Sequence, residues 1–327
     1  MKPLFRELVD VKETGLVNID IELLNILLKD RTTNKNIIWA TDMYEERGIE
    51  YHSNSQITIN AITGYNGQVI KPRTKKSKKD QLMRSRDKAE VFTPSWICNE
   101  QNSIVDDAWF GYSNVFNIPC QNSWKTNKEK IFFPENKNWK DYVKSVRLEI
   151  SCGEAPYLVS RYDSVTGEII PTYERIGLLD RKMRIINENA LTNDEWNKFV
   201  EIAYKSIYGY EWQGDSLLIA RENLLYTYTD YYYERYNRKP SLDEVKKIAE
   251  IISWNIFQMD GMKFVIPNSC KNEIRIDYTL FGTEEEKIEC QGCKKDNNSC
   301  HNGIYVKIMN WETNRKIKFI SLLKGKK

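Results

Sequence analysis

Hydrophobic and polar positions change period several times along the chain, and each change marks an element. The run IELLNILL, Ile21–Leu28, is apolar at helical spacing, whereas residues 36–39 and 56–62 read as short extended runs of a small N-terminal lobe. In residues 145–151 (SVRLEIS) the apolar Val146, Leu148 and Ile150 alternate with polar neighbours, and Cys152-Gly153 follows directly. That is a strand ending in a tight turn. Thr192 and Glu195 have capping-box spacing and open a helix through Trp196, Phe199, Ile202 and Ala203. Residues 207–212 suit a second strand, and Asp215 begins a long amphipathic segment. Ser241 and Glu244 open another capped helix through Ile248 and Ile252, after which a short strand at Ile256-Phe257 runs out at Asp260.

The order strand, helix, strand, helix, strand predicts an α/β fold with a doubly wound core, its sheet mostly parallel and covered by helices. Such sheets bind ligands at the carboxyl ends of their strands. Three acids stand at or near those ends: Glu149 before Cys152-Gly153, then Glu211, then Asp260 before Gly261. Together they suit a nucleoside that carries positive charge, because one acid can accept from both ribose hydroxyls and another from an adenine amino group. No G-x-G-x-x-G is present to hold a pyrophosphate. S-adenosylmethionine, a phosphate-free nucleoside with a sulfonium, meets these demands.

Composition narrows the chemistry further. The 327 residues include only two histidines, His52 and His301, which excludes any mechanism needing several. No apolar run of about 18 residues or more is present, and the first residues carry acids rather than a leader's apolar core, so a cytoplasmic protein is expected. Net charge is only +3, but residues 71–88 (KPRTKKSKKDQLMRSRDK) hold nine Lys or Arg against two Asp. Such a segment is mobile or lies on something anionic, nucleic acid included. The tyrosine-rich run 226–236 reads as helix packing rather than a base-stacking platform, and Cys152, with no histidine near it in sequence, reads as a buried thiol rather than a nucleophile. Seven cysteines, an odd number, argue against a disulfide framework. Cys290, Cys293, Cys300 and His301 have the spacing of a structural zinc loop, with Cys270 as the alternative where the adjacent Cys300 and His301 cannot both bind. A catalytic deaminase zinc is not expected, since Gly303 stands where that signature needs Glu.

Four segments carry a resemblance. Lys88 to Pro94 (KAEVFTP) looks like the F-T-P segment preceding the catalytic domain of adenine-N6 DNA methyltransferases of restriction-modification systems, and LEISCGEA, residues 148–155, is similar to their D-P-A-C-G-S-G cofactor loop. YGYE at 208–211 with ARENLL at 220–225 resembles their second-strand acid and A-R-x-N-L helix, and QMDG at 258–261 falls where the family keeps its adenine-contacting acid. Residues 30–42 (DRTTNKNIIWATD) also look like the M subunit of such systems. The resemblance implies a Rossmann-like core binding S-adenosylmethionine, with Phe92, Thr93 and Pro94 against the cofactor. Glu149, Cys152, Gly153 and Glu154 would surround its methionine part, Glu211 its ribose and Asp260 its adenine.

The departures are specific. Glu149, Ile150, Ser151 and the pair Glu154-Ala155 replace the usual residues, and about 60 positions separate Glu149 from Glu211, against roughly 20 in a compact dinucleotide fold. The catalytic Asn/Asp-Pro-Pro-aromatic segment is missing, since no two prolines are adjacent; only Pro267-Asn268 and Asn310-Trp311 preserve fragments of it. No catalytic residue is assigned. With few residues after Trp311, target recognition and the catalytic segment are expected on a partner chain, and DNA is the expected substrate. The expected division is an N-terminal lobe with the basic segment (1–87), a cofactor-binding core (88–280), and a Cys-rich loop with C-terminal strands (281–327). The alternative function is a non-catalytic nucleic-acid-binding or cofactor-sensing accessory protein.

Overall fold

The structure, a computed structural model, describes residues 13–88, 90–279 and 282–324. Its centre is a three-stranded parallel sheet, Arg147–Glu149, Ile207–Glu211 and Ile256–Gln258, in that spatial order. Glu149 stands opposite Gly209, and Glu211 opposite Gln258, so the strand ends that carry the acids lie side by side. The alternating run at 145–151 keeps only its middle in the ladder, because Ser151, Gly153 and Ala155 all turn to positive φ and end the strand.

Each crossover is helical for the reasons legible in its caps. Thr192 accepts the Glu195 amide and opens Asn193–Lys205; Ser241 and Glu244 close a reciprocal capping box on Leu242–Asn255. Between them lies the 23-residue helix Gly214–Tyr236, buried along most of its length. Its tyrosines pack as expected: Tyr226, Tyr228, Tyr231 and Tyr232 are buried, with Tyr204 and Tyr228 edge to face at 6.2 Å. The Arg221 guanidinium at its centre donates to the carbonyls of Ile256 (2.7 Å), Lys29 (3.0 Å) and Leu27. One side chain thereby ties the long helix to the third strand and the N-terminal segment.

The central sheet is parallel as expected, but it does not stand alone. Among the described residues three antiparallel hairpins accompany the parallel sheet: Asn117–Cys120 with Ser123–Thr126, Glu273–Thr279 with Gly282–Ile288, and Lys307–Asn310 with Arg315–Lys318. Each pairs strands that are neighbours in sequence, and none adds a strand to the central sheet. The fold is therefore α/β with mixed sheets. The extended runs at 36–39 and 56–62 meet at the isolated bridge Ile38 to Gln56 rather than in a longer ladder, and Thr58 instead caps a short helix, Ile59–Ile62.

The N-terminal segment packs into the same core as the sheet, with Leu23, Leu24 and Leu27 buried beside Leu217 and Ile256. A second, smaller cluster of Phe257, Met259, Val306, Ile308 and Phe319 seats the C-terminal hairpin on the outer face of the third strand. The basic segment forms the helix Lys78–Lys88, and part of its charge is satisfied inside the protein. Arg84 is buried between Glu90 (2.7 Å) and Asp215, and Lys76 lies 3.5 Å from Asp215. Lys75, Lys78 and Lys79 remain exposed.

Candidate ligand cleft and metal centre

A cleft of ≈ 960 Å³ opens at the carboxyl ends of the first two strands, where sheets of this kind bind ligands. The floor is the loop 150–155, whose reversal needs left-handed backbone at Gly153; a side chain there would also meet the Phe92 ring. Glu211 holds this loop to the second strand by accepting the amides of Gly153 (2.8 Å), Trp212 (2.9 Å) and Gln213 (3.1 Å). Glu149 accepts the amides of Leu158 (3.2 Å) and Tyr157 (3.3 Å). Every amide uses one lone pair and leaves others for a ligand. Burial pushes both carboxyls above the ordinary glutamate value, more strongly at Glu149, although these amides pull the other way.

Six of the residues singled out from sequence line the cleft: Phe92, Thr93, Glu149, Cys152, Gly153 and Glu211. Cys152 is buried beneath the second strand, and burial raises its thiol well above the ordinary value, which is the wrong direction for a nucleophile. Three others are placed elsewhere. Pro94 precedes the helix Ser95–Phe110 and offers its carbonyl to Ile97 and Cys98. Glu154, in the same loop, is buried and outside the cleft lining, accepting the Arg73 amide (2.6 Å) and the Tyr162 hydroxyl (2.7 Å). Asp260 closes its own turn by accepting the amides of Met262 (3.0 Å) and Lys263 (3.1 Å). The approach to the third strand end is held instead by Gln258, which pairs with both backbone groups of Ile38 at 2.9 and 2.8 Å.

The wall also contains residues the sequence did not mark. Asp42 and Glu45 come from the N-terminal segment, Glu90 from beside the F-T-P run, and Trp212 and Ser216 from the start of the long helix. Asn268, from the Pro267-Asn268 fragment, lines it too; Asn310-Trp311 does not, and the Trp311 indole donates to Asn255 at 2.8 Å. Asp42, Glu90 and Asn268 lie inside segments already noted and Trp212 ends the expected second strand, whereas Glu45 and Ser216 carried no signal. Among the described residues, five carboxylates and no lysine or arginine line this cleft. Such a wall favours a cation or a hydroxyl-rich ligand and repels phosphate.

The second centre lies in the Cys-rich segment. The ligand atoms of Cys270, Cys290, Cys293 and His301 lie within 4.8 Å of one another, and each of the three sulfurs is 3.7 Å from His301 Nδ1. A tetrahedral zinc with bonds of about 2.3 Å to sulfur and about 2.0–2.1 Å to nitrogen sets such vertices about 3.6 Å apart. The group could therefore hold a metal such as zinc. Cys300 is exposed and outside it, so Cys270 takes the place that spacing alone gave to Cys300. Gly292 is required by proximity: a β-carbon there would stand 2.5 Å from His301 Nδ1.

No protein-family model, curated protein or solved structure matches the chain. Fold and sites alone define its class: an α/β protein with an acidic cleft at the end of a parallel sheet and a Cys3His group able to hold metal. Among the described residues no helix is long and apolar enough to cross a membrane.

Proposed function

We propose that the chain is the S-adenosylmethionine-binding part of a DNA adenine-N6 methyltransferase of a restriction-modification system, with the catalytic Asn-Pro-Pro-aromatic segment and target recognition on a partner chain. The observation that carries this reading is the wall of five carboxylates, with no lysine or arginine among the described lining residues, at the carboxyl ends of parallel strands. A nucleotide cofactor would bring phosphate into that field, whereas the proposed ligand brings a sulfonium, an ammonium and a ribose diol. When bound, the sulfonium supplies the methyl group. Glu211 would accept from the ribose hydroxyls, Phe92 would pack on the nucleoside, and Glu149 would lower the cost of bringing positive charge to the loop.

The partner is supported by what the sheet leaves open. The first strand is an edge, and Val146, Leu148 and Ile150 are exposed along it. A doubly wound sheet continues on the far side of its first strand, so a strand added there would end beside the cleft. Exposed Lys75, Lys78 and Lys79 suit DNA phosphate, and they also favour the second reading, a nucleic-acid-binding accessory protein without transfer chemistry.

Calorimetric titration of the full chain with S-adenosylmethionine tests the reading. A single site is expected, weakened roughly tenfold or more by Glu211→Gln, which removes a charged acceptor while keeping the side chain's shape. Absence of binding, with salt-dependent DNA binding retained, selects the accessory reading. Binding also has a sign in pH. The raised carboxyls contribute stability to the ligand-free fold that is complete below the ordinary 4.5 and lost as pH rises through their higher folded values. Cation affinity runs opposite, so binding should tighten as pH rises above 4.5 and then level off. A flat profile would separate Glu149 and Glu211 from the bound charge.

A further inference from the structure

Two polar atoms on the cleft wall are buried and have no partner in the protein. Glu90 gives one carboxylate oxygen to Arg84 (2.7 Å), with the Gln213 amide at 3.5 Å, while its Oε1 is buried and unpaired. Ser216 is 2 % exposed, and its hydroxyl makes no hydrogen bond. Both residues line the cleft, and Gln213 stands between them in the chain: its side chain approaches Glu90, and it immediately precedes the helix on whose first turn Ser216 lies. Buried polar atoms are ordinarily satisfied, and leaving two of them unsatisfied in one wall is costly unless something else completes them.

The two orphans ask for opposite halves of one group. A carboxylate oxygen can only accept, so Glu90 Oε1 calls for a donor, and a positive one in preference. Ser216 has a hydroxyl proton to give and sits third in a 23-residue helix, where the first-turn amides have no helical carbonyl behind them and the dipole favours negative charge. An ammonium beside a carboxylate is an α-amino acid.

We propose that Glu90 and Ser216 form the subsite for the α-amino-acid end of the cleft's ligand, Glu90 Oε1 accepting from its ammonium and the Ser216 hydroxyl donating to its carboxylate. The proposal rests on the nucleoside reading of the cleft and extends it. It moves the methionine end of the ligand from the loop 149–154, which the sequence resemblance implies, to the start of the long helix. Glu149 and Glu211 are then left for the sulfonium and the ribose.

Paired titrations of the full chain separate the two ideas. Sinefungin carries the nucleoside and the amino-acid end; 5′-methylthioadenosine carries the nucleoside alone. Ser216→Ala and Glu90→Gln should each weaken sinefungin about tenfold and leave methylthioadenosine unchanged. If methylthioadenosine binds and neither variant discriminates between the ligands, the subsite is overturned while the nucleoside reading stands. If neither ligand binds the unmodified chain, the nucleoside reading fails and takes the subsite with it. The ligand-free melting temperature checks the premise independently. Because Ser216→Ala removes an unsatisfied buried hydroxyl, it should melt at the same or a higher temperature, and a clear decrease would mean that the hydroxyl already has a structural partner.

Discussion

Cys290→Ser lowers zinc affinity on the order of a hundredfold, and Cys270→Ser, Cys293→Ser and His301→Ala do the same. The magnitude follows from dividing the roughly 10–16 kcal/mol of a structural zinc site among four ligands, which leaves about 3 kcal/mol for each. Cys300→Ser keeps the metal, because its side chain is exposed and outside the group. Competition of the full chain against a chromophoric chelator measures all five variants, and loss of zinc in Cys300→Ser with retention in Cys270→Ser would reverse the assignment.

Metal loss should also reach the cleft. The segment that carries Asn268 and Cys270 is strapped to the Cys-rich loop by Ile266 to Ile304 (2.8 Å), Ile304 to Ser269 Oγ (3.0 Å) and Asn302 to Lys271 (2.7 Å). Those bonds join the stretches that carry Cys270 and His301, so a metal held by both would help to order them. Chelation should therefore weaken cleft ligands as well, and unchanged ligand affinity in zinc-free protein would show that the two centres are independent.

Asp215→Asn destabilises the protein by about 3–5 kcal/mol, the range for breaking a buried ion pair by removing one partner. Asp215 is fully buried and receives the Arg84 guanidinium, the Tyr44 hydroxyl (2.7 Å) and Lys76 (3.5 Å). Without its charge, Arg84 is left buried with Glu90 as its remaining carboxylate. Despite the burial that opposes ionisation, Arg84 and Lys76 hold Asp215 well below the ordinary 3.8. Its contribution is present above 3.8 and is lost as pH falls toward the depressed folded value. Urea unfolding at neutral pH and near pH 3 measures both effects: the unmodified chain should lose stability between them, and the variant should lose less. A cost under about 1 kcal/mol would mean that the pair does not outweigh its own desolvation.

The exposed first strand has a practical consequence for the proposed partner. An apolar free edge is a site for pairing with another chain and, without the intended one, for self-association. Charge on that edge, as in Leu148→Lys, should block assembly with a catalytic partner while leaving nucleoside binding intact, because Leu148 is absent from the cleft wall.

By itself the sequence determined what depends on neighbours a few positions away. The caps at Thr192 and Ser241, the alternation around Leu148, the packing of the tyrosine run and the three-strand order all rest on periods of two or about four residues, and each has its counterpart in the fold. Tertiary structure decided what joins distant segments. The Asp215 carboxylate that absorbs part of the basic segment is 131 positions from Arg84, Ile38 that engages Gln258 is 220 positions away, and Cys270 reaches His301 across 31. Spacing cannot rank Cys270 over Cys300, because a ligand is chosen by where its sulfur lies after the chain folds. The same holds for Glu45 and Ser216: ordinary polar residues in sequence, they line one cleft only when two distant segments meet at the end of one sheet.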